Sequence, residues 1–376
     1  MTSRYARQTV LPEIGNEGQS ALGRARVLVI GAGGLGSPAL LYLVAAGVGL
    51  KNSGGCIGII DDDTVDHSNL QRQILFAEAD AGSSKADSAS TRLFNLNRDC
   101  HLRVFNKRLA GNNVLDIFAD FDIIVDGSDN FDTKYLINDA AVKLGLPVVY
   151  GSILGFEGQA SVFWAEHGPC YRCIYPTPPE SHVPNCAEAG TLGGIAGMIG
   201  SIQAVEVCKL ALSLAHCKTH GLEPLIGKLL LADAHGWDVR TLVLTKQRDC
   251  PVCSHAPESI TMPSSSVHQC TVSSLQVFNL NDLTELIQSG KPFTLIDVRE
   301  QHEWESGHLE GALHIPLNQL LSVPDTLDKL NTFDPILIYC QHGMRSKKAV
   351  QFLGSKAINA ISLNLDWSNT SLSSNK

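Results

Sequence analysis

The sequence has little that suits a membrane or a nucleic acid. Its 376 residues carry a formal net charge of -9 at pH 7, whereas a general nucleic-acid binder needs a basic face that displaces counterions from phosphates. The longest apolar stretch, residues 192–215, is interrupted by Gln203, Glu206 and Lys209, and such side chains are costly in hydrocarbon. We therefore expect no membrane and no nucleic acid among its partners, and we predict that this stretch is a buried helix.

The sequence also shows neither a targeting signal nor a disulfide framework. Residues 1–10 contain Arg4 and Arg7 but no apolar segment followed by a small-residue cleavage site, as a secretory signal would require. This favours a cytoplasmic protein. Because disulfides are rare in that compartment, the 11 cysteines are better interpreted as metal ligands and catalytic thiols.

The length and the order of the apolar segments predict two α/β domains. A chain of 376 residues exceeds what one hydrophobic core usually supports. Apolar strands alternate with amphipathic segments, which indicates a mostly parallel, Rossmann-like sheet with helices on both faces; we predict its strands at 27–30, 57–60, 123–125 and 147–150. A second, smaller α/β unit begins with strands at 293–298 and 335–339. The segment between the two units is rich in Pro and Ser and has few large apolar residues. We therefore predict a first domain at 1–253, a linker at 254–272 and a second domain at 273–376.

A glycine-rich turn follows the first predicted strand. It reads Gly-Ala-Gly-Gly-Leu-Gly at 31–36, and glycines there let the backbone turn tightly against a phosphate at a helix N-terminus. Asp61 ends the next strand, where an acid can hold ribose hydroxyls. These two features alone also fit an NAD-dependent dehydrogenase. The cations that follow, Arg72 and Lys85, suit a triphosphate better than a nicotinamide.

Two Cys-x-x-Cys pairs, Cys170/Cys173 and Cys250/Cys253, lie far apart in the chain. Four thiolates from two such pairs form a closed tetrahedral zinc site, which is usually structural because no position is left for water. A redox Cys-x-x-Cys would normally follow a strand and open a helix, whereas both pairs resemble turns. We therefore predict one structural Zn2+ site.

Several short motifs in the first domain belong together. They are Arg-Tyr-Ala-Arg-Gln at 4–8, the glycine-rich turn, Asn-Leu-Gln-Arg-Gln at 69–73, Asp-Asn at 129–130 and the cysteine pairs. On these motifs, residues 4–253 resemble the MoeB/ThiF family, the bacterial relatives of ubiquitin-activating enzymes. The resemblance implies a homodimer that uses ATP to adenylate the C-terminal glycine of a small ubiquitin-like sulfur-carrier protein ending in Gly-Gly, of the type of the molybdopterin synthase small subunit.

The resemblance also implies roles for single residues. Gly34 would lie against the phosphates and Asp61 would hold the ribose. A carboxylate that attacks the α-phosphate brings two anions together, so charge must be neutralised, and the candidates are Arg72, Lys85 and a Mg2+ ion on Asp129. The other residues expected to contact ATP are Ser68, Asn69, Leu70, Gln71 and Asn130.

Two further implied roles concern Arg7 and Cys186. Arg7 would reach into the site of the second subunit, which requires the homodimer. Cys186 occupies the place of a family thiol that takes the activated glycyl group as a thioester or forms a disulfide with a persulfidated carrier. Each residue also has an interpretation without a function. Arg7 could be a solvated charge and Cys186 an inert buried thiol. In the same way, Asp129 could be an Asx-turn residue after a strand.

The second domain contains three short motifs of its own, which are Asp-Val-Arg at 297–299, Gly-His-Leu-Glu-Gly at 307–311 and Cys-Gln-His-Gly-Met-Arg-Ser at 340–346. On these the unit resembles a rhodanese domain. Cys340 would then accept sulfur from thiosulfate or a persulfide-bearing desulfurase and pass it to the activated carrier, giving a thiocarboxylate. In such a loop, backbone N–H groups at a helix N-terminus surround the sulfur and stabilise a thiolate or persulfide. The alternative is an inactive docking module.

Two other functions fit part of the sequence. An NAD-dependent dehydrogenase shares the glycines and the acid but has no use for the arginine motifs. A non-catalytic zinc scaffold that presents a sulfurtransferase would keep the cysteines but would not need the phosphate-binding cations. We therefore expect an adenylyltransferase with sulfurtransferase activity, with ATP, Mg2+ and Zn2+ as cofactors.

Overall fold

The chain folds as two units, Met1–Ser266 and Val267–Lys376. The computed structural model describes residues 4–179, 190–263, 277–322, 335–341, 343–355 and 358–365. Each unit has its own sheet.

The first unit is built on a sheet of eight strands, β1 to β8. Their bounds are Arg26–Ile30, Cys56–Ile60, Leu102–Phe105, Ile123–Asp126, Val148–Leu154, Glu157–Phe163, Lys228–Asp233 and Asp238–Val243. The order across the sheet is β3-β2-β1-β4-β5-β6-β7-β8. Neighbours among β1 to β5 pair in parallel, and β6, β7 and β8 extend the sheet in antiparallel fashion. The prediction of a mostly parallel sheet is confirmed.

Helices cover both faces of this sheet. The helices α1 to α9 are Ala6–Thr9, Gly15–Arg24, Gly36–Ala46, Lys85–Leu96, Val114–Phe118, Phe131–Leu144, Tyr171–Ile174, Gly193–Ala211 and Leu214–Thr219. Side chains alternate along β1, so Val27 and Val29 pack with α3 and α8, while Leu28 packs with α5 and α6 on the other face. Burial on both faces explains why the parallel strands are continuous apolar runs.

The apolar stretch at 192–215 is two helices rather than one. Ser213, with a left-handed φ of 76°, separates α8 from α9. By length and composition alone α8 could cross a membrane, and 44% of its apolar window is buried. It packs against α3 and the sheet, where Ile199 and Val207 are fully buried, so it serves as a core helix of this unit.

Part of the predicted linker packs against the first unit. Pro257–Ser259 form a short 3-10 turn. The Lys143 ammonium group at the end of α6 donates hydrogen bonds to the carbonyl oxygens of Pro257, at 3.0 Å, and Ile260, at 2.8 Å. The Ile260 side chain is buried. These contacts hold the beginning of the predicted linker on α6.

The second unit has a parallel sheet of five strands, β9 to β13, which are Val277–Phe278, Thr294–Asp297, Leu313–His314, Ile336–Tyr339 and Ala360–Leu363. Their order is β11-β10-β12-β13-β9. In its described part, helices α10 to α13 are Leu280–Gln288, Gln301–Glu305, Leu317–Ser322 and Met344–Ser355. The central strands β10 and β12 are fully buried, and their carboxyl ends lie side by side.

Candidate active sites

Three loops meet at the carboxyl edge of the first sheet, following the neighbouring strands β1, β2 and β4. Gly31 has a φ of 85°, and a Cβ atom there would lie 2.9 Å from the carbonyl oxygen of Gly127. A Cβ atom on Gly36 would lie 1.9 Å from the carbonyl oxygen of Gly31. Glycine is therefore required at position 31 for the turn to approach the loop after β4, and at position 36 for the turn to close on itself.

Asp61 connects two of these loops. Its carboxylate accepts hydrogen bonds from the N–H of Ala32, at 2.7 Å, and from the N–H of Asp63, at 2.9 Å. Burial raises the pKa of Asp61, although these N–H groups and the Lys85 charge act in the opposite direction. The acid thus orients the glycine-rich turn.

The loops enclose a cavity of about 630 Å3, within the range of small-molecule and cofactor sites. The predicted residues that line it are Gly34, Asp61, Arg72, Lys85, Asp129 and Asn130. Three further cations in the lining, Lys107, Arg108 and Lys134, were not predicted from the sequence. A single basic residue in a loop or helix cannot be told from a solvated charge until the fold brings it to a cavity. Five cations thus converge here from separate parts of the chain, and five carboxylates line the same cavity, those of Asp61, Asp62, Asp63, Asp129 and Asp132.

Lys85 is buried at the start of α4, where a cation opposes the helix dipole. Its Nζ atom lies 2.6 Å from Oδ2 of Asp63, and its backbone N–H donates to the Asp63 carbonyl oxygen. The Lys85 side chain is 7% exposed and that of Asp63 is 67% exposed. The pair therefore joins a buried cation to a solvated carboxylate, for which the sequence analysis predicted no role.

Arg72 lies beside the glycine-rich turn, because a Cβ atom on Gly34 would be 3.5 Å from Cγ of Arg72. The half-buried Arg72 side chain donates a hydrogen bond from its guanidinium to the Ser68 carbonyl oxygen at 3.1 Å. The Asp66 carboxylate accepts from the Ser68 N–H at 2.8 Å and so caps the preceding turn. The four residues before Arg72 were also predicted to contact ATP, but they do not line the cavity. They are Ser68, Asn69, Leu70 and Gln71.

A buried ion pair lies at the floor of the cavity. Nζ of Lys134 is 3.0 Å from Oδ2 of Asp126, and the two side chains are 7% and 3% exposed. The other carboxylate oxygen of Asp126 accepts hydrogen bonds from the N–H and the hydroxyl of Ser128, at 2.9 and 2.6 Å. The buried Gln203 amide donates to the Asp126 carbonyl oxygen at 2.8 Å. These contacts fix the loop after β4.

That loop carries Asp129 and Asn130. Asn130 caps α6, since its Oδ1 accepts from the Thr133 N–H at 2.9 Å. Asp129 is exposed at the cavity, and among the described residues its carboxylate has no hydrogen bond or ion pair. A carboxylate in that setting has the oxygen donors that Mg2+ prefers.

Arg7 lies away from the cavity of its own chain. It is exposed on α1, whose preceding residue Tyr5 sits against Gly47: a Cβ atom on that glycine would be 2.4 Å from the tyrosine ring. Gly47 ends α3, while Gly34 precedes it, so α1 and the cavity lie at opposite ends of this helix. The predicted thiol Cys186 lies outside the described residues.

The four predicted zinc ligands come together. Their Sγ atoms are separated by 3.9 Å for Cys170 and Cys173, and by 3.5 Å for Cys170 and Cys250 and for Cys173 and Cys253. Zn–S bonds of about 2.3 Å in a tetrahedron place sulfur atoms about 3.8 Å apart, so the donor set fits Zn2+. One detail of the prediction was wrong, because the first pair lies at the start of the one-turn helix α7 rather than in an irregular turn.

In the second unit, Cys340 directly follows β12 and is 2% exposed. The N–H of Ser346 donates a hydrogen bond to its Sγ atom at 3.3 Å. The Ser346 hydroxyl donates to the Gly343 carbonyl oxygen at 3.1 Å, and Gly343 has a φ of 76°. The loop thus turns back on the sulfur as it enters α13.

Two arginines beside this loop are paired with carboxylates. Arg345 donates two hydrogen bonds to Glu303, at 2.6 and 2.7 Å. Arg299 donates from Nε and Nη2 to Oδ2 of Asp297, at 2.9 and 2.7 Å, and from Nη1 to the Gln341 side-chain oxygen at 3.4 Å. Burial raises the pKa of Glu303, but Arg345 and backbone N–H bonding outweigh it, so this pKa lies below its ordinary value. Glu303 was not predicted from the sequence, because 42 residues separate it from Arg345.

Two family models match the chain in succession, the ThiF family at residues 5–252 and the rhodanese-like domain at 279–371. The probable adenylyltransferase/sulfurtransferase MoeZ of Mycobacterium tuberculosis is 41% identical over 356 residues, which are 93% of this chain and 87% of that protein. The adenylyltransferase and sulfurtransferase MOCS3 of Mus musculus is 39% identical over 379 residues, covering 94% of this chain and 80% of the relative.

Solved structures share the fold of much of the chain. The crystal structure of E. coli MccB with ATP superposes with a TM-score of 0.57 and 21% identity, covering 68% of this chain and 75% of that one. MccB with MccA-N7isoASN gives a TM-score of 0.58 and 20% identity, covering 67% and 74%. At this identity the likeness concerns the fold alone.

Proposed function

The chain belongs to the ThiF family and carries a rhodanese-like domain after it, and on this premise we propose that it is an adenylyltransferase with sulfurtransferase activity. It activates the C-terminal glycine of a ubiquitin-like sulfur-carrier protein ending in Gly-Gly with ATP. The rhodanese unit then supplies the sulfur, and the product is a thiocarboxylate. Relatives named adenylyltransferase/sulfurtransferase align over both units, which supports a joint role.

The observation that carries the proposal is the cluster of cations in the cavity of the first unit. A nicotinamide dinucleotide needs only the glycine-rich turn and an acid. The cavity of about 630 Å3 is lined by five cations and five carboxylates, and this combination suits a triphosphate with its divalent ion better. A zinc scaffold with a vestigial nucleotide fold would not need Arg72, Lys85 and Asp129 around one cavity.

In the adenylation step, the carrier's terminal carboxylate attacks the α-phosphorus of ATP and pyrophosphate leaves. Arg72 and Lys85 reduce the repulsion between the two anions, and Lys85 exchanges the solvated Asp63 carboxylate for phosphate. Asp129 would hold Mg2+, which when bound supplies positive charge to the triphosphate. The remaining nucleotide contacts are assigned to Gly34, Asp61, Ser68, Asn69, Leu70, Gln71 and Asn130.

In the sulfur step, the outer sulfur of a Cys340 persulfide attacks the glycyl carbonyl carbon and AMP leaves. This gives an acyl disulfide between the carrier and Cys340. A cellular thiolate then attacks the Cys340 sulfur, the carrier departs as a thiocarboxylate, and a second thiol reduces the mixed disulfide left on Cys340. Cys186 is assigned as a thiol that takes the activated glycyl group as a thioester or forms a disulfide with a persulfidated carrier.

We further propose a cytoplasmic homodimer in which Arg7 completes the partner's cavity. Arg7 is exposed at the end of α3 that faces away from its own cavity. A two-fold arrangement that brings this end to the partner's glycine-rich turn would give each site one foreign cation.

Carrier-dependent ATP–pyrophosphate exchange tests the proposal. A panel of ubiquitin-like proteins ending in Gly-Gly is compared with the same proteins lacking the last glycine. We expect exchange with at least one intact carrier, none with its truncated form, and a thiocarboxylate by mass spectrometry once a sulfur donor is added. Normal zinc content without ATP binding would instead favour the scaffold, and reduction of NAD would indicate a dehydrogenase.

A further inference from the structure

Two arginines beside the Cys340 loop are held in ion pairs. The Arg345 and Glu303 side chains, which make two hydrogen bonds to each other, are 21% and 19% exposed. The Arg299 and Asp297 side chains are 4% and 0% exposed. Each of these arginines is therefore matched by one carboxylate. Lys347, in the first turn of α13, is solvent-exposed, so water and salt screen its charge.

The two candidate sulfur donors, thiosulfate and a cysteine persulfide, differ in how much they need positive charge near Cys340. With thiosulfate, the Cys340 thiolate attacks the sulfane sulfur, the S–S bond breaks, and sulfite leaves with the electron pair. The attacking anion must meet a dianion, so unpaired cations would raise the rate. With a cysteine persulfide, the thiolate attacks the outer sulfur of R–S–SH, R–S− leaves, and Cys340 carries S–SH. This donor brings at most one negative charge.

We propose that Glu303 is a donor-selecting residue, which holds the Arg345 guanidinium and so favours a cysteine persulfide over thiosulfate. The Glu303 carboxylate is itself fixed, because its Oε2 accepts a hydrogen bond from the Glu300 N–H at 2.9 Å at the start of α11. The pair is thus built into the fold between α11 and the Cys340 loop. The inference rests on the proposed function only in taking Cys340 as the sulfur acceptor.

The Glu303→Gln variant of the full-length protein tests this assignment. Glutamine keeps the size and a capping acceptor but removes the charge that holds Arg345. We expect kcat/KM for thiosulfate, measured as thiocyanate formed with cyanide, to rise by about tenfold through a lower KM, and to fall more steeply with added NaCl. Transfer from a persulfidated cysteine desulfurase should change by less than about twofold, since this donor needs less positive charge.

Glu305→Gln is the matched control. It removes the same charge from the same helix, but its carboxylate accepts from Gln301 at 2.8 Å instead of from Arg345, so the ratio of the two donors should stay as in the wild type. An unchanged ratio in Glu303→Gln, or an equal loss with both donors, would overturn the proposal.

Two further measurements keep the test decisive if Glu303→Gln folds poorly. In the wild type, kcat/KM for thiosulfate should depend only weakly on NaCl, because the arginine charges are paired; a steep fall would contradict the inference. The Cys340→Ala variant should form no thiocyanate from thiosulfate. With the persulfidated desulfurase, whose persulfide cyanide cleaves directly, transfer is followed by mass spectrometry without cyanide, and the rhodanese-like unit of the variant should gain no sulfur. Transfer that persists there would refute the sulfur acceptor of the proposed function, not the choice of donor.

Discussion

The two units place a buried aspartate at the same point, the end of a parallel strand next to the candidate site. Asp126 ends β4 and accepts a hydrogen bond from the N–H of Ser128, and Asp297 ends β10 and accepts one from the N–H of Arg299, both at 2.9 Å. Each carboxylate also pairs with a cation, Lys134 in the first unit and Arg299 in the second. The same arrangement fixes the following loop in both units.

The two candidate sites differ in the charged and polar groups that surround the phosphate in one and the sulfur in the other. In the first unit, five cations and five carboxylates line an open cavity, and two of the cations, Lys85 and Lys134, are held in ion pairs. In the second unit, Arg345 pairs with Glu303, and a backbone N–H donates to the Cys340 sulfur. A triphosphate needs positive charge around it, which lysines and arginines supply together with a metal ion that the carboxylates would hold. A thiolate or persulfide can instead be stabilised by N–H dipoles at a helix start. The contrast separates a site for phosphate from a site for sulfur.

Loss of the cysteine cluster should have the largest effect, and it should affect one unit only. Among the described residues the cluster lies wholly in the first unit. We expect Cys250→Ser to lose the bound zinc and several kcal/mol of folding free energy, because the ligands assemble only with the fold. Calorimetry should show a lower transition for the first unit and an unchanged one for the second. Cys208→Ser is the control that should keep its zinc, and a zinc-free Cys250→Ser of normal stability would argue against a structural metal.

Breaking either buried ion pair should have the next largest effect. Lys134→Met leaves the Asp126 charge buried without a partner, and Arg299→Met does the same to Asp297. Each should cost its own unit about 3 to 5 kcal/mol, measured by calorimetry. The double variant Lys134→Met/Asp126→Asn should recover part of the loss. If both transitions fell together in either single variant, the two units could not be treated as separately stabilised.

Removing a charge from the cavity should reduce adenylation alone. We expect Arg72→Ala and Asp129→Ala each to lower carrier-dependent ATP–pyrophosphate exchange on the order of 100-fold, about 3 kcal/mol, if the groups act mainly in the transition state. Sulfur loading of Cys340 should continue in both. The exposed residues Arg92 and Asp116, outside the cavity lining, serve as matched alanine controls, and full exchange in Asp129→Ala would remove the basis for the Mg2+ assignment.

A smaller effect is expected from mixing two inactive variants. Arg7→Ala and Asp129→Ala subunits should form heterodimers that contain one intact site, so exchange should return in part when the two are mixed. The measurement is exchange activity against the mixing ratio. No recovery, in mixtures shown by native mass spectrometry to exchange subunits, would count against a shared site.

The sequence predicts features set by nearby residues better than features set by distant contacts. Apolar runs predict β1, β2, β4 and β5, and the cysteine spacing predicts the cluster, because strand burial and paired thiols leave local patterns. The exposed strand β8 has no such pattern and was missed. Lys134 and Glu303 were missed as well, since each acquires its role from a carboxylate or a guanidinium that only the fold brings near. A search for an acid at each strand end with a cation in the next helix would have selected Lys134.

The most direct test of the two-site account is to assay Cys340→Ala and Asp129→Ala side by side for both half-reactions. ATP–pyrophosphate exchange reports on the first unit, and sulfur added to the protein, measured by mass spectrometry, reports on the second. The account predicts that Cys340→Ala keeps near-normal exchange and carries no transferable sulfur, while Asp129→Ala shows the reverse. Loss of exchange in Cys340→Ala with sulfur loading retained would contradict the assignment of phosphate chemistry to one unit and sulfur chemistry to the other.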